Sequence, residues 1–222
     1  ITMSQAFYDG LSEFNAQYMP EKVKEFEGIV SAAAKSGSYD FDTVKKLMKS
    51  YNSVSGSGVE VNAEMVATML ALTLTKLPNK DYLQLSYLIP GRLNSNPQVA
   101  AVIKLNDMLE RAQFPSFWKE IENDDAKAVT SGIGNFGDSI RGFVIEVVSK
   151  TWKNIDKSQL ATMLGMSNPD SFLKTSPHIL ASSISGNVVE FVECGAGEQG
   201  AGKKQSDIVA KVTEISKLIR NK

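Results

Sequence analysis

The feature that most restricts the fold of this chain is the recurrence of apolar residues three and four positions apart. Val23, Phe26 and Val30 show this spacing first, and it places side chains on one face of an α-helix. Each such helix must bury its apolar face against another element, so the spacing predicts a stack of amphipathic helices. The further apolar sets are Val44, Leu47, Met48, Tyr51; Val66, Met69, Leu70, Leu74; Val99, Val102, Ile103, Leu105, Leu109; and Ile140, Phe143, Val144, Val147, Val148, Trp152.

Residues typical of helix starts precede several of these sets. Proline suits the first helical position, and the side chains of Asp and Asn can accept hydrogen bonds from the first-turn amides. Short connections between such helices favour antiparallel neighbours. The predicted helix starts are Pro20, Asp40 or Asp42, Asn62 and Asn96-Pro97.

A glycine-rich stretch, Thr130–Gly137 (TSGIGNFG), is the best candidate for an internal boundary. It divides a helical domain over residues 1–132 from a second domain over residues 136–194. In the second domain Asp156 and Gln159 have the spacing of a capping box, and Asn168-Pro169 begins another helix.

Two apolar runs follow these helices, Ile179–Ile184 and Val188–Val192. They flank a turn at Ser185-Gly186-Asn187, so they predict a β-hairpin. Three helices followed by a hairpin is the order of a winged helix. The fold class expected is therefore mainly α, with stacked helix pairs, a winged-helix domain, a small β-hairpin and a C-terminal helix.

The end of the chain is predicted to be a glycine-rich linker over residues 195–205 and an amphipathic helix over residues 206–222. Ile208, Val212, Ile215 and Ile219 lie on one face of that helix. This face can fold back on its own domain or dock on a partner's helix or groove, which makes it the candidate partner-helix face.

Three glycine patterns resemble nucleotide-binding motifs without their structural context. Two fit G-x-G-x-x-G, but neither lies between a strand and a helix of a parallel sheet. Gly197–Lys203 fits the start of a P-loop, but Lys204 replaces the hydroxyl residue that binds magnesium. We therefore expect the glycines to be structural. The two G-x-G-x-x-G sets are Gly132, Gly134, Gly137 and Gly195, Gly197, Gly200.

Residues for metal or nucleophilic chemistry are few. His178 is the only histidine and Cys194 the only cysteine, so we interpret both as structural and expect no catalytic residue, metal or other cofactor. No stretch is apolar enough to cross a membrane, and no signal-peptide pattern is visible. These observations lead us to expect a cytoplasmic protein, with a nuclear pool left open.

A winged helix can also bind nucleic acid through its third helix, here around Asn168–Thr175. Asn168 and Lys174 are its candidate contact residues, but Asp170 lies between them and the chain has a net charge of −1. Because nucleic-acid affinity depends on neutralising phosphates with Lys and Arg, groove reading is disfavoured and an RNA contact would be weak. Protein docking is the favoured role.

Two stretches resemble a known family: residues 106–122 (NDMLERAQFPSFWKEIE) and residues 137–166 (GDSIRGFVIEVVSKTWKNIDKSQLATMLGM). Both resemble the k subunits of eukaryotic translation initiation factor 3, and the likeness extends weakly into the first third of the chain. The order of motifs matches too: a leucine-rich helix, the aromatic cluster Phe114, Phe117 and Trp118, a glycine break and two helices.

This resemblance implies a HEAT-like helical domain followed by a winged helix, related to the PCI domains. It also implies a non-catalytic scaffold subunit that pairs chiefly with the l subunit and reaches the small ribosomal subunit indirectly, supporting recruitment of mRNA and initiator tRNA. No small-molecule substrate or membrane partner is expected. The alternatives left open are a winged-helix nucleic-acid-binding protein, a subunit of another PCI assembly such as the proteasome lid or signalosome, and an enzyme.

Overall fold

The computed structural model describes residues 20–53, 61–175, 184–185 and 187–191. Within these residues the chain is mainly helical with a small antiparallel sheet, which confirms the predicted fold class. The predicted C-terminal helix lies outside them. The elements are α1 (Pro20–Ser36), α2 (Phe41–Ser53), α3 (Ala63–Leu74), α4 (Asp81–Ser86), a 3-10 turn (Gly91–Leu93), α5 (Pro97–Glu110), α6 (Phe114–Glu120), α7 (Asp124–Thr130), α8 (Phe136–Thr151), β1 (Asn154–Asp156), α9 (Lys157–Leu164), α10 (Asp170–Thr175), β2 (Ile184–Ser185) and β3 (Val188–Glu190).

Side-chain caps fix the starts of three helices where the sequence predicted them. Asp40, rather than Asp42, caps α2, because its Oδ2 accepts a hydrogen bond from the Thr43 amide at 3.1 Å. Asn62 Oδ1 accepts from the Met65 amide at 3.1 Å, and Asn96 caps α5 in the same way. Each cap satisfies a first-turn amide that has no partner within its own helix.

Helix α3 is the centre of the helical part. It packs against α1, α2, α4, α5 and α7, and nine of its twelve residues are buried. A helix that is apolar on every side is stable only when neighbours surround it, which is why α3 occupies the middle of the stack. The apolar faces of α1, α2 and α5 close around it.

Most residues of the predicted apolar faces are buried; Phe26, Phe143 and Val147 are partly buried against the core, and two residues are exposed. Ile103 is 36% exposed and Trp152 is 50% exposed, so the inward positions expected for both were wrong. Ile103 lies on the outer side of α5, whose inner face is already filled by Val99, Val102 and Leu105. Trp152 ends α8 with an extended backbone and leads directly into β1.

The winged-helix part consists of α8, α9, α10 and a three-stranded sheet with the order β1-β3-β2. The predicted hairpin is confirmed for Ile184–Ser185 and Val188–Glu190; the remainder of its two apolar runs falls largely outside the described residues. Strand β1 was not predicted. It pairs antiparallel with β3, placing Ile155 opposite Val189, and both of these side chains are buried.

The capping box predicted at Asp156 and Gln159 does not form. Asp156 occupies the N-cap position of α9, but its side chain makes no capping hydrogen bond. Its Oδ1 instead accepts a hydrogen bond from Asn187 Nδ2 at 3.3 Å, while the Lys157 amide donates to the Asn187 carbonyl at 2.8 Å. Pairing of β1 with β3 places the hairpin turn beside Asp156, so the carboxylate binds the turn.

Candidate interaction site

The glycine-rich stretch predicted as a boundary contacts the end of α1. The Gly134 amide donates to the Ala34 carbonyl at 2.9 Å. A Cβ on Gly134 would lie 2.7 Å from the Lys35 carbonyl oxygen, closer than real Cβ atoms come. Gly37, which has a φ of +66°, lies against the Gly134 carbonyl. These glycines therefore permit a close contact between two backbones, and no strand precedes them among the described residues, as a dinucleotide site would require.

A second contact joins the helical stack to the winged helix through Trp118. Its Nε1 donates to the Met163 carbonyl at 2.8 Å, and its ring packs edge-on against Phe117 with centroids 5.1 Å apart. Gly165 ends α9 with a φ of +62°, and its Cα faces the indole so closely that a Cβ would lie 2.4 Å from Trp118 Cγ. Only glycine fits this position without moving the ring.

Arg141 completes this contact from α8. Its guanidinium lies 4.9 Å from the Trp118 ring centroid, its Nε donates to the Leu164 carbonyl at 3.1 Å, and its Nη1 donates to Asp138 Oδ1 at 2.9 Å. One side chain thus stacks on the indole and satisfies a carbonyl at the end of α9. We call Trp118, Arg141 and Gly165 the junction cluster.

An open cleft of about 470 Å³ lies beside the junction cluster. Its charged side chains are paired with each other: Arg141 with Asp138, and Lys127 with Glu122 at 3.1 Å. These pairs leave no excess of either sign in the cleft. The described residues contain no group of three or more His, Cys, Asp or Glu placed to hold a metal ion.

The outer face of the sheet carries exposed apolar side chains. Val188 is 38% exposed and Trp152 is 50% exposed. Alternation along the strands turns Ile155 and Val189 inward and Asn154 outward. The Phe191 amide donates to the Lys153 carbonyl at 3.0 Å, which extends the ladder towards Trp152. We call Trp152, Asn154 and Val188 the outer sheet face. The register pairs Val188 with Asp156, so Val188 and Trp152 lie towards opposite ends of β1. An exposed tryptophan suits a protein contact.

The predicted nucleic-acid contacts lie at the start of α10 and within it. Asn168 is exposed, and its Oδ1 accepts a hydrogen bond from the Asp170 amide at 3.0 Å, so it caps the helix. Lys174 belongs to α10. Asp170 forms an ion pair with Lys157 of α9, which places a carboxylate and a neutralised lysine where a groove-reading helix needs free cations.

Other predicted site residues fall outside the described part of the chain. These are the only histidine, the only cysteine, the second and third glycine motifs and the partner-helix face: His178, Cys194, Gly195–Lys203, Ile208, Val212, Ile215 and Ile219. Within the described part of the chain, no helix is long and apolar enough to cross a membrane.

Sequence reasoning missed the junction cluster and the outer sheet face. The sequence placed Trp118 in an aromatic cluster without a contact to the winged helix. Arg141 and Gly165 lay within residues 137–166, which resemble the k subunits, but no role was predicted for either residue. The available signal was the glycine that follows the apolar end of α9, which is typical of a left-handed helix terminus. Its contact with Trp118, distant in the sequence, had no local signal.

Within the described residues, the fold and these surfaces define a protein with a stack of helices followed by a winged helix, which presents surfaces suited to protein contacts. Comparison with known proteins assigns the chain to a family within this class. The model of the CSN8/PSMD8/EIF3K family matches residues 60–177, more than half of the chain. The chain therefore belongs to the CSN8/PSMD8/EIF3K family.

Similar individual proteins come from fruit flies. Proteins named eukaryotic translation initiation factor 3 subunit K are 32% identical to this chain in Drosophila persimilis and 33% identical in Drosophila erecta and Drosophila grimshawi. Each match extends over 149 residues, which is 67% of this chain and 65% of the relative. The chain thus spans about two thirds of the length of these curated relatives.

Proposed function

We propose that this chain is a non-catalytic subunit of eukaryotic translation initiation factor 3 that acts through protein–protein contacts. The observation that carries this proposal is the match over 149 residues to proteins named as subunit K of that factor. The structural role of Gly134 argues against a dinucleotide site at the first glycine motif. A translation factor of this kind works in the cytoplasm, with a nuclear pool left open.

The chain is proposed to act by presenting surfaces to which other subunits bind. The helical stack, over residues 1–132, and the winged helix, over residues 136–194, form two adjacent domains held by the junction cluster. The outer sheet face supplies the docking surface for another subunit, chiefly the l subunit, since buried tryptophans commonly carry much of an interface's binding energy. Contact with the small ribosomal subunit, and support for mRNA and initiator tRNA recruitment, follow indirectly through the assembled factor.

The predicted helix over residues 206–222, beyond the linker of residues 195–205, is proposed to join a bundle with partner helices through Ile208, Val212, Ile215 and Ile219. Deleting residues 203–222 is then expected to reduce retention of the chain in its complex, measured by pull-down. Unchanged retention would contradict the role proposed for this helix in a bundle. It would not affect the docking role proposed for the outer sheet face.

The outer sheet face is tested with the double substitution Trp152→Ala and Val188→Ser in the full tagged chain. We expect wild-type chain to co-purify with other subunits of the initiation factor and the variant to recover less of the l subunit. Ile29→Ser is the matched control, because Ile29 is also a large exposed apolar residue, 47% exposed, and belongs to α1 rather than to the winged helix. Equal recovery by all three chains contradicts the docking role; absence of initiation-factor subunits from the wild-type preparation contradicts the proposed function.

A subunit of another assembly is the second candidate, because the family description also names CSN8 and PSMD8. The same purification separates the candidates, since the co-purifying subunits differ. Direct nucleic-acid binding through Asn168 and Lys174 is the weaker alternative, because Asp170 and its ion pair with Lys157 reduce the positive charge there. Steep loss of RNA binding with added salt would support it.

A further inference from the structure

The described part of the chain ends beside the outer sheet face. Phe191 is its last residue, and the Phe191 amide donates to the carbonyl of Lys153, the residue that follows Trp152. The predicted helix over residues 206–222 is therefore connected to this face by residues 192–205. An extended segment of this length spans at most about 50 Å, several times the length of β1, so the connection lets the helix reach every part of the face.

The apolar side chains of the face have a spacing that an α-helix can match. Val188 pairs with Asp156 in the register. Val188 and Trp152 therefore lie about 13 Å apart along the direction of an extended strand. The candidate partner-helix face extends from Ile208 to Ile219, which is about 16 Å of helix. One end of this helix can thus cover Trp152 while the other end covers Val188.

The charges around the face agree with the same occupant. Asp156 and Glu190 are exposed at the outward positions of β1 and β3, and Lys153 is exposed beside Trp152, so these three side chains have a net charge of −1. Two further lysines are balanced by ion pairs, Lys150 with Glu146 and Lys157 with Asp170. The predicted helix has a net charge of +2, from Lys211, Lys217, Arg220 and Lys222 against Asp207 and Glu214. Opposite net charges favour this contact.

We propose that in the free chain the predicted helix over residues 206–222 folds back and covers the outer sheet face with Ile208, Val212, Ile215 and Ile219. Trp152 and Val188 then lose their contact with water. The two surfaces for which the proposed function names partners cover each other until the complex assembles, so a partner subunit must displace the helix to reach the sheet. The inference rests on the proposed function for this consequence; the fold-back itself is a property of the chain alone.

Attachment to the same chain makes this contact effective even when it is weak. A short linker gives the helix an effective concentration on the order of 1 mM at the face. A helix that binds with a Kd of about 0.1 mM would then cover the face in about nine chains of ten. The same helix added as a separate peptide must compete with the attached one. Its apparent affinity for the wild-type chain is therefore about tenfold lower than for a chain whose own helix cannot bind.

The first measurement is acrylamide quenching of tryptophan fluorescence in the full chain, purified without other subunits. We expect Ile215→Ser with Ile219→Ser to increase the quenching, because Trp152 loses its cover. Trp118, the other tryptophan, is present in both chains and contributes equally. Ala210→Ser is the matched control, since Ala210 lies on the opposite side of the predicted helix, and it should leave the quenching unchanged. In a Trp152→Phe background the double substitution should have no effect.

The second measurement is the fluorescence anisotropy of a labelled peptide with the sequence of residues 206–222. We expect the peptide to bind the chain with Ile215→Ser and Ile219→Ser about tenfold more tightly than it binds wild-type chain. Adding Trp152→Ala with Val188→Ser to that chain should weaken the binding, whereas adding Ile29→Ser, exposed on α1, should not. Circular dichroism confirms that every chain is folded.

Three results would overturn the proposal. These are quenching that the isoleucine substitutions do not change, a peptide that binds both chains equally or neither of them, and protection of Trp152 that disappears on dilution. Loss on dilution would show that the helix comes from a second copy of the chain. No other subunit is present in either measurement, so the recovery of initiation-factor subunits described above tests the proposed function independently.

Discussion

Replacing Gly165 with alanine tests how the winged helix is held against the helical stack. Gly165 has a φ of +62° and a ψ of 38°, a conformation that costs an L-residue with a Cβ roughly 1–2 kcal/mol. The new Cβ would lie 2.4 Å from Trp118 Cγ and 2.5 Å from Cδ2. Those atoms belong to a rigid ring, so the whole indole must move.

Movement of the indole has two further costs. The hydrogen bond from Nε1 to the Met163 carbonyl, 2.8 Å long, is lost or lengthened at roughly 1 kcal/mol. The stacking of Arg141 on the ring, at 4.9 Å, contributes roughly 0.5–1 kcal/mol at such a partly exposed site. Gly165→Ala is therefore expected to lower the free energy of unfolding by about 3 kcal/mol.

Urea denaturation of the full chain, followed by circular dichroism, measures this loss. Gly142→Ala is the matched control, because Gly142 lies inside α8 and a Cβ there would meet nothing within 4 Å. An alanine at this helical position is expected to raise the free energy of unfolding by roughly 0.5–1 kcal/mol. The two glycine substitutions should therefore have opposite signs.

The Trp118→Ala background separates the contribution of the indole from that of the backbone. When Trp118→Ala has already removed the indole, Gly165→Ala should cost only the roughly 1–2 kcal/mol of the left-handed backbone. Equal losses in the two backgrounds would show that the ring is not what excludes a side chain at Gly165. A double-mutant cycle gives this difference directly.

Three further predictions follow from other contacts. Gly134→Ala should lower the melting temperature, because its Cβ would lie 2.7 Å from the Lys35 carbonyl oxygen, whereas Gly28→Ala in open space on α1 should not. Asn62→Ala should cost roughly 1 kcal/mol in urea denaturation by removing the α3 cap. Burial, then the nearby Glu110 charge, raises the pKa of Tyr82 from its usual 10.0 to about 12. The folded state thus holds this proton more tightly, so stability present below pH 10 should fall between pH 10 and 12, and by less in Tyr82→Phe.

Helical periodicity predicted most of the core, because the side chains of one face repeat within a few residues. The faces of α2 and α3 are buried as expected, including Tyr51 and Leu70. Ile103 and Trp152 were misplaced, because periodicity records only that a residue is apolar. Whether a neighbour covers it depends on the arrangement of other helices.

Strand β1 and the junction cluster could not be predicted from the sequence, because both depend on contacts between residues far apart in the chain. Strand β1 has one inward apolar residue, Ile155, and forms because Val188–Glu190, some thirty residues later, pairs with it. The junction cluster joins Trp118, Arg141 and Gly165 from three different elements. No local pattern signals either arrangement. The resemblance identified the stretches that contain these residues but gave them no structural role.

Whether the chain is a subunit of eukaryotic translation initiation factor 3 can be measured on the purified endogenous complex. Native mass spectrometry of the assembly that contains this chain measures which subunits accompany it and in what stoichiometry. We expect subunits of eukaryotic translation initiation factor 3, with the l subunit retained in the smallest subcomplexes that form on partial dissociation. Recovery of the chain only with subunits of the proteasome lid or the signalosome, or without any partner, would contradict it.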